Sequence, residues 1–207
     1  MLTGVILAGG DNSRMGGKQK ALLPFADGVL IKKQICAMKP LCAELILVTN
    51  EPKPFLLLLG DSIRIITDRI PGKGPLSGMH AAFTLANHPA IWVVGCDMPF
   101  VSAAAAYILW RRMEQLGSDA AVPRVAGELY PLHGVYRKSC SGAIAALLAD
   151  GEPTVNGLLE AVSCEQVDEA LLAGRVSDFR FVIDINTPED YVRILRAEAD
   201  RQTGQPI

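Results

Sequence analysis

The chain has 207 residues, of which 50% are hydrophobic and 20% charged, and its formal net charge is −2. High apolar content and small net charge exclude a disordered chain, and they exclude nucleic-acid binding through a broadly basic surface. Five cysteines without a C-x-x-C pair argue against a disulfide framework or a zinc site. With no signal-peptide pattern and no run of about 20 apolar residues, we expect a cytoplasmic protein without a membrane or nucleic-acid partner.

Strands and helices alternate along the first part of the chain. Short apolar, β-branched runs predict strands at residues 5–8, 44–49, 63–67 and 91–95. Helical spacing predicts helices at residues 30–39, 76–87 and 102–116, with Ser102 as the N-cap of the last. Apolar strands that alternate with helices favour a mostly parallel sheet covered on both faces.

The second part of the chain has weaker patterns. They predict strands at residues 120–123, 132–136 and 181–185 and helices at residues 139–149 and 187–196. Thr187 is the expected N-cap of the last helix, with Pro188 in its first turn. The polar residues 201–207 are expected to form a flexible tail. Because no repeat or linker interrupts residues 1–200, we expect one Rossmann-like α/β domain there.

The loop that follows the first predicted strand is rich in glycine and cations. Residues 9–20 contain four glycines together with Arg14, Lys18 and Lys20. Backbone donors beside guanidinium and ammonium groups suit a polyphosphate. The glycine spacing matches neither G-x-x-x-x-G-K-[ST] nor G-x-G-x-x-G, so the loop indicates a nucleotide site of another type.

Carboxylates follow two other predicted strands. Asp97 comes after the strand at 91–95, where it could either hold Mg²⁺ beside a phosphate loop or cap a turn. Asp68 follows the strand at 63–67 and could accept hydrogen bonds from a nucleoside. Asp184 and Asn186 lie two residues apart, so they share one side of a strand, which faces either the site or solvent.

The motifs also resemble a known family. They are L-A-G-G at 7–10, R-M-G at 14–16, K-A-L-L at 20–23, G-P-L-S-G at 74–78, C-D-M-P at 96–99 and N-T-P-E at 186–189. In this order they resemble the sugar-phosphate-type nucleotidyltransferases, and most closely the molybdenum cofactor guanylyltransferases of the MobA type. L-A-G-G in place of L-A-A-G favours guanylyl over cytidylyl transfer. The chain departs from the family pattern at Gln19, where aspartate is usual, and in lacking an arginine at residues 151–156.

The resemblance implies a fold and a reaction. The fold would be a three-layer α/β/α domain of the nucleotidyltransferase type, with a nucleotide-binding half at residues 7–97 and an acceptor-binding half at 98–200. The enzyme would transfer GMP from GTP to molybdopterin and release pyrophosphate, with Mg²⁺ as cofactor. Its product would pass to molybdoenzymes or their chaperones through transient contacts. The alternatives are cytidylyl transfer, transfer to a different phosphorylated acceptor, or a nucleotide-binding domain without turnover.

The resemblance also implies roles for individual residues. The catalytic group would be Arg14, Lys20 and Asp97, with Asp97 as the metal ligand. The nucleotide would contact Leu7, Ala8, Gly9, Gly10, Lys20, Asn50, Asp68, Gly74, Gly78 and Asp97. His133 and Asn186 are candidates for the acceptor side, although His133 could equally be a core or loop residue and Asn186 could simply organise the turn before Thr187.

Overall fold

A large twisted sheet forms the centre of the molecule in the computed structural model, which describes residues 1–9, 19–68, 74–151 and 153–203. Its strands are β1 (Leu2–Leu7), β4 (Cys42–Val48), β5 (Arg64–Ile66), β6 (Ala90–Gly95), β7 (Ala120–Val125), β8 (Glu128–Leu129), β9 (Val135–Arg137) and β10 (Cys164–Asp168). Within the described residues the order is β10-β7-β9-β6-β1-β4-β5, and β8 pairs with β7. A separate small hairpin joins β2 (Pro24–Phe25) to β3 (Gly28–Val29).

Helices connect most of these strands. They are α1 (Leu30–Met38), α2 (Pro52–Leu59), α3 (Gly74–Leu85), α4 (Ala103–Leu116), α5 (Ser141–Asp150), α6 (Val155–Ala161), α7 (Glu169–Leu172) and α8 (Pro188–Thr203). In the part of the chain that the structure describes, no helix is long and apolar enough to cross a membrane.

Alternating side chains of the central strands build two apolar cores, one on each face of the sheet. Ile6 and Trp92 belong to the core that also contains buried residues of α1, α2 and α4. Val5 and Val93 belong to the opposite core, with buried residues of α3, α5 and α6. Because successive strand residues point to opposite faces, this division makes three layers. The predicted three-layer α/β/α class is therefore confirmed.

The central strands run parallel and so end at the same edge of the sheet. β1 pairs in parallel with β4 and β6, and β4 pairs in parallel with β5. β9 is antiparallel to both β6 and β7, so the sheet is mostly parallel, as predicted. In sheets of this kind ligands bind beyond the carboxyl ends of the strands. The loops after β1, β4, β5 and β6 therefore surround the expected site.

The predicted strand at residues 181–185 is wrong. A 3-10 helix, Arg180–Val182, is followed by an extended segment that joins no sheet in the described structure. Ile183 and Ile185 instead pack in a third apolar cluster, against Phe25 of the hairpin and Ile194 of α8. The apolar run that suggested a strand is thus buried by a helix and a hairpin rather than by neighbouring strands.

Two further boundaries differ from the predictions. The segment predicted as a strand at 132–136 begins as the 3-10 helix Pro131–His133, and only β9 after it is a strand. At the C-terminus, α8 continues to Thr203, so the first three residues of the predicted tail, 201–203, are helical. Residues 204–207 lie outside the described residues.

Candidate active site

Three polar side chains from distant parts of the sequence meet at the carboxyl edge of the sheet. The Lys20 Nζ atom lies 3.3 Å from Asp97 Oδ2. The same ammonium donates a hydrogen bond of 3.3 Å to Asn186 Oδ1. The structure thereby brings together one residue from the loop after β1, one from the loop after β6 and one from the start of α8. All three were named as site residues from the sequence.

Backbone contacts hold Asp97 at this position. Cys96, next to it, donates its N–H to Leu7 O at 3.0 Å, which extends the β1–β6 pairing by one step. Met98 N donates to Gly95 O at 3.3 Å, so the chain turns at Asp97. On the other side, Ile185 N donates to Asp97 O at 2.9 Å and ties the C-terminal segment to this turn.

The Asp97 carboxyl has a perturbed pKa. Its side chain is 27% exposed, and burial raises its pKa above the ordinary value because desolvation disfavours the charged form. The Lys20 ammonium opposes this rise, while the negative charge of Asp184 adds to it. A second positive charge near Asp97, such as a divalent cation, would favour the ionised carboxylate further.

Lys20 begins the 3-10 helix Lys20–Leu22, and its side chain is only 13% exposed. The preceding residue, Gln19, donates its side-chain N–H to the carboxylate of Glu51, just after β4. The loops that follow β1 and β4 are therefore joined by a side-chain hydrogen bond beside Lys20. This hydrogen bond fixes the backbone just before Lys20 and so helps to position the lysine side chain.

Asn186 is positioned by a reciprocal cap at the start of α8. The Asp190 carboxylate accepts hydrogen bonds from Asn186 N at 3.3 Å and Thr187 N at 3.1 Å. In return, Asp190 N donates to Thr187 Oγ1 at 3.1 Å, so Thr187 caps the helix as predicted. The Thr187 hydroxyl also donates to the Asp190 carboxylate at 3.0 Å, and the hydrogen bonds to this carboxylate lower the pKa of Asp190, the one from the hydroxyl most strongly. A helix cap thus fixes the residue that reaches Lys20.

The residues predicted for the nucleotide lie around the same edge. Leu7 ends β1 and is buried, whereas Ala8 is half-buried and Gly9 is exposed. Ala8 N donates to Val48 O at 2.8 Å, so the chain still follows β4 as it leaves the sheet. Asn50 is exposed directly after β4.

Asp68 and two glycines complete the predicted nucleotide side. Asp68 follows β5, and its carboxylate accepts a hydrogen bond from the Ser77 hydroxyl of α3. A Cβ atom added to Gly78 would lie 3.2 Å from Leu7 Cδ2, so this glycine lets α3 pack closely on the end of β1. Gly74 begins α3 with φ +68°, a left-handed conformation that glycine adopts readily. Gly10 and Arg14, which the resemblance also named, lie outside the described residues.

His133 does not lie in this cleft. Its side chain is fully buried, with its ring 5.3 Å from that of Trp92 and 4.7 Å from that of Phe181. Its Nε2 accepts a hydrogen bond of 3.0 Å from Ser102 N, at the start of α4. Burial lowers the pKa of His133 to about 4, so the ring is neutral at pH 7. The geometry fits the core role that the sequence left open, and gives His133 no surface toward an acceptor.

Sequence reasoning missed Gln34, which contacts the turn at Asp97 from inside the molecule. Its side-chain Nε2 donates to Gly95 O and to Met98 O, each at 2.8 Å. The signal was visible in the predicted helix at residues 30–39, because Gln34 is a polar residue on a face otherwise formed by buried apolar side chains of α1. A polar residue in such a stripe needs an internal partner.

Known proteins resemble this chain in sequence and in fold. The sequence profile of the MobA-like NTP transferase domain matches residues 4–167, which is most of the chain. The chain belongs to this family. It is thus a nucleotidyltransferase, and the matched segment contains both Lys20 and Asp97.

Relatives of this MobA-like transferase are similar along nearly their whole length. A probable molybdenum cofactor guanylyltransferase of Pelotomaculum thermopropionicum is 36% identical over 203 residues, covering 98% of this chain and 96% of the relative. One from Carboxydothermus hydrogenoformans is 31% identical over 195 residues, covering 94% and 95%. The solved structure of molybdopterin-guanine dinucleotide biosynthesis protein A from Archaeoglobus fulgidus has the same fold, with a TM-score of 0.82, 23% identity and coverage of 96% and 100%.

Proposed function

We propose that this enzyme transfers GMP from GTP to molybdopterin, which gives the guanine dinucleotide form of the cofactor and pyrophosphate. Two relatives that are more than 30% identical over nearly the whole chain bear the name probable molybdenum cofactor guanylyltransferase. The observation that carries the proposal is the meeting of Lys20, Asp97 and Asn186 at the carboxyl edge of a parallel sheet. A cation and two oxygen donors at this edge suit phosphates and a divalent metal.

In the proposed complex the nucleotide occupies the edge formed by β1, β4 and β5. The exposed Gly9 and the half-buried Ala8 approach the phosphates next to Leu7, the last residue of β1, and Gly10, outside the described residues, is assigned to the same group. The exposed Asn50 and the carboxylate of Asp68 face the guanosine. Gly74 allows close approach at the start of α3, and Gly78 lets α3 pack against Leu7 beside it. The support is positional, because each of these groups follows a strand that ends at the same edge.

The residues present fit a bound Mg²⁺. Asp97 Oδ2 and Asn186 Oδ1 both lie 3.3 Å from the same ammonium, so two oxygen donors already converge on one positive charge. Mg²⁺ takes few protein carboxylates and keeps several waters. When bound, the ion would neutralise charge on the α-phosphate and the departing pyrophosphate. In this proposal Asp97 is its ligand and Asn186 lies next to it.

The residues of the chain contribute mainly position and charge. The nucleophile is an oxygen of the terminal phosphate of molybdopterin, which is already anionic, so no general base is needed. It attacks the α-phosphorus of GTP, a new P–O bond forms, and the bond to the β-phosphate breaks. Lys20 and Arg14 stabilise the negative charge that grows on the leaving pyrophosphate. On the acceptor side the proposal retains Asn186 and omits His133, because that ring is fully buried.

A pyrophosphate-release assay with matched substrates tests the proposal. The purified protein is given Mg²⁺ with either GTP or CTP, each with and without molybdopterin. We expect rapid release only when GTP and molybdopterin are both present. Equal release with CTP would indicate a different nucleotide. GTP binding without release in the presence of molybdopterin would contradict the activity, and would leave either a different acceptor or a binding role.

A further inference from the structure

A fully buried glutamine lies directly beneath the turn that carries Asp97. Gln34 is 0% exposed and comes from the middle of α1. Its Nε2 group uses both hydrogens, one on Gly95 O and one on Met98 O, each at 2.8 Å. These two carbonyls flank Asp97 on either side in the sequence. One side chain therefore fixes both ends of the turn.

The backbone bonds from Cys96 N to Leu7 O and from Ile185 N to Asp97 O hold the middle of the turn, whereas Gln34 binds the carbonyls at its two ends. The internal hydrogen bond of the turn, from Met98 N to Gly95 O, is long at 3.3 Å. Space around the carboxylate is also limited, because a Cβ atom added to Gly95 would lie 2.5 Å from Asp97 Oδ1. A small rotation of the turn would therefore move the Asp97 carboxylate relative to Lys20. The two bonds from Gln34 oppose such a rotation from the side facing the core.

A buried glutamine at position 34 does not favour the stability of the fold. Burial of an amide is unfavourable unless its polar atoms are paired, and Gln34 Oε1 has no partner among the described residues. The other buried residues of α1 on this side are apolar, among them Ile31 and Ile35. Among the described residues, the polar contacts of this side chain are both to the turn, and they distinguish it from a packing residue.

From this geometry, and resting on the proposed function, we propose that Gln34 is a positioning residue that holds Asp97 in the orientation needed to bind the metal–nucleotide complex. It touches neither substrate nor metal. Its effect passes through the carbonyls of Gly95 and Met98 to the carboxylate. Loss of the amide should therefore lower the affinity for the metal, while the protein remains folded.

The test compares two isosteric substitutions of buried polar residues. Gln34→Met keeps the length of the side chain but removes both donors. Thr3→Val is the matched control, because Thr3 is also 0% exposed and donates a bond of 2.7 Å to Glu44, but lies at the opposite end of β1. Binding of Mn²⁺ in the presence of GTP, without acceptor, is measured as the fall in the electron paramagnetic resonance signal of the free ion relative to a protein-free sample with the same GTP, because GTP itself binds Mn²⁺. Thermal unfolding of each variant is measured in parallel.

We expect Gln34→Met to weaken Mn²⁺ binding about tenfold, the scale of one or two lost hydrogen bonds, while Thr3→Val changes it less than about twofold. Unchanged Mn²⁺ affinity in a folded Gln34→Met would overturn the inference, and so would an equal loss in Thr3→Val. If Gln34→Met does not fold, Gln34→Asn, whose shorter amide cannot span both carbonyls, must show the same selective loss. Wild-type protein that binds no Mn²⁺ with GTP would instead contradict the proposed function.

Discussion

At the scale of single residues, Asp97 lies next to a cation but in a buried position that disfavours its charged form. Burial raises the pKa of its carboxyl although Lys20 Nζ lies 3.3 Å away. A carboxyl whose pKa is higher in the folded than in the unfolded chain costs stability at neutral pH, because folding then disfavours its charged form. A carboxyl placed where burial disfavours its charged form is typical of a functional site.

Asp97→Asn should therefore separate activity from stability. Asparagine keeps the shape and can still accept from Lys20, but it is a poor metal ligand. We expect turnover to fall at least about 100-fold, since a lost metal ligand removes several kcal/mol of charge stabilisation. We expect the unfolding temperature at pH 7 to stay the same or rise. Steady-state assays at saturating Mg²⁺ and thermal unfolding measure the two effects, and turnover within a few-fold of wild type would remove Asp97 from the catalytic group.

The sequence located some site residues and not others for a physical reason. Asp97 comes just after β6 and Lys20 lies at the far end of the loop after β1, so their places in the chain indicated the edge of the sheet at which they lie. His133 is polar like Lys20 and Asp97, but its ring lies in the core, where it contacts Ser102 N and two aromatic rings. No local sequence pattern reveals these contacts. Gln34 acts across the interface of α1 with the sheet, and only the tertiary structure shows its partners.

At the scale of elements, the start of α8 carries Asn186 into the site. Thr187 and Asp190 cap the helix reciprocally, and Ile185 N bonds to Asp97 O. The position of Asn186 therefore depends on a helix terminus rather than on a strand. The prediction of Thr187 as N-cap was correct because capping is a local signal, whereas the strand predicted before it was wrong.

Thr187→Ala tests whether this cap serves the site. Thr154, the N-cap of α6, offers a matched control, since its hydroxyl accepts from Gly157 N at 3.0 Å in the same way. Each alanine variant should lose about 1 kcal/mol of unfolding free energy, the usual value of an N-cap. Only Thr187→Ala should also lower turnover, because only its cap adjoins Asn186. Urea unfolding measures the loss of stability in each variant. If the two variants lose similar stability and also have equal turnover, the cap at Thr187 supports the helix alone.

Strong apolar periodicity made several elements predictable, and its absence hid others. β6 and α4 were predicted within one residue of their observed bounds. α2 was not predicted, although Pro52 suits the first turn of a helix. β10 was missed because it contains mostly polar residues and lies at the edge of the sheet.

At the scale of the whole molecule, the buried His133 links stability to pH. Its pKa falls from 6.5 to about 4 on folding, so the unfolded chain binds the proton more readily between these values. The stability associated with the neutral ring is complete above the unfolded pKa and is lost as pH falls toward about 4. Because of His133, the free energy of unfolding falls by about 2 kcal/mol as the pH is lowered from about 7 to about 5.

His133→Gln should remove this pH dependence, because glutamine does not titrate and can still accept from Ser102 N. We expect the variant to be less stable than wild type at pH 7, but to lose about 2 kcal/mol less on acidification to about pH 5. Urea unfolding at the two pH values measures both differences. The same loss of stability in both proteins would show that other groups control the response to acid.

The whole account depends on GMP passing from GTP to molybdopterin at the site of Lys20 and Asp97. The most direct measurement follows the label from α-phosphate-labelled GTP in wild type and in Asp97→Asn. In wild type we predict that the label appears in a molybdopterin guanine dinucleotide, while label placed on the γ-phosphate appears in pyrophosphate. In Asp97→Asn both transfers should nearly stop. Label that stays in GTP with wild-type enzyme and molybdopterin, or label that moves equally well from CTP, would contradict the account.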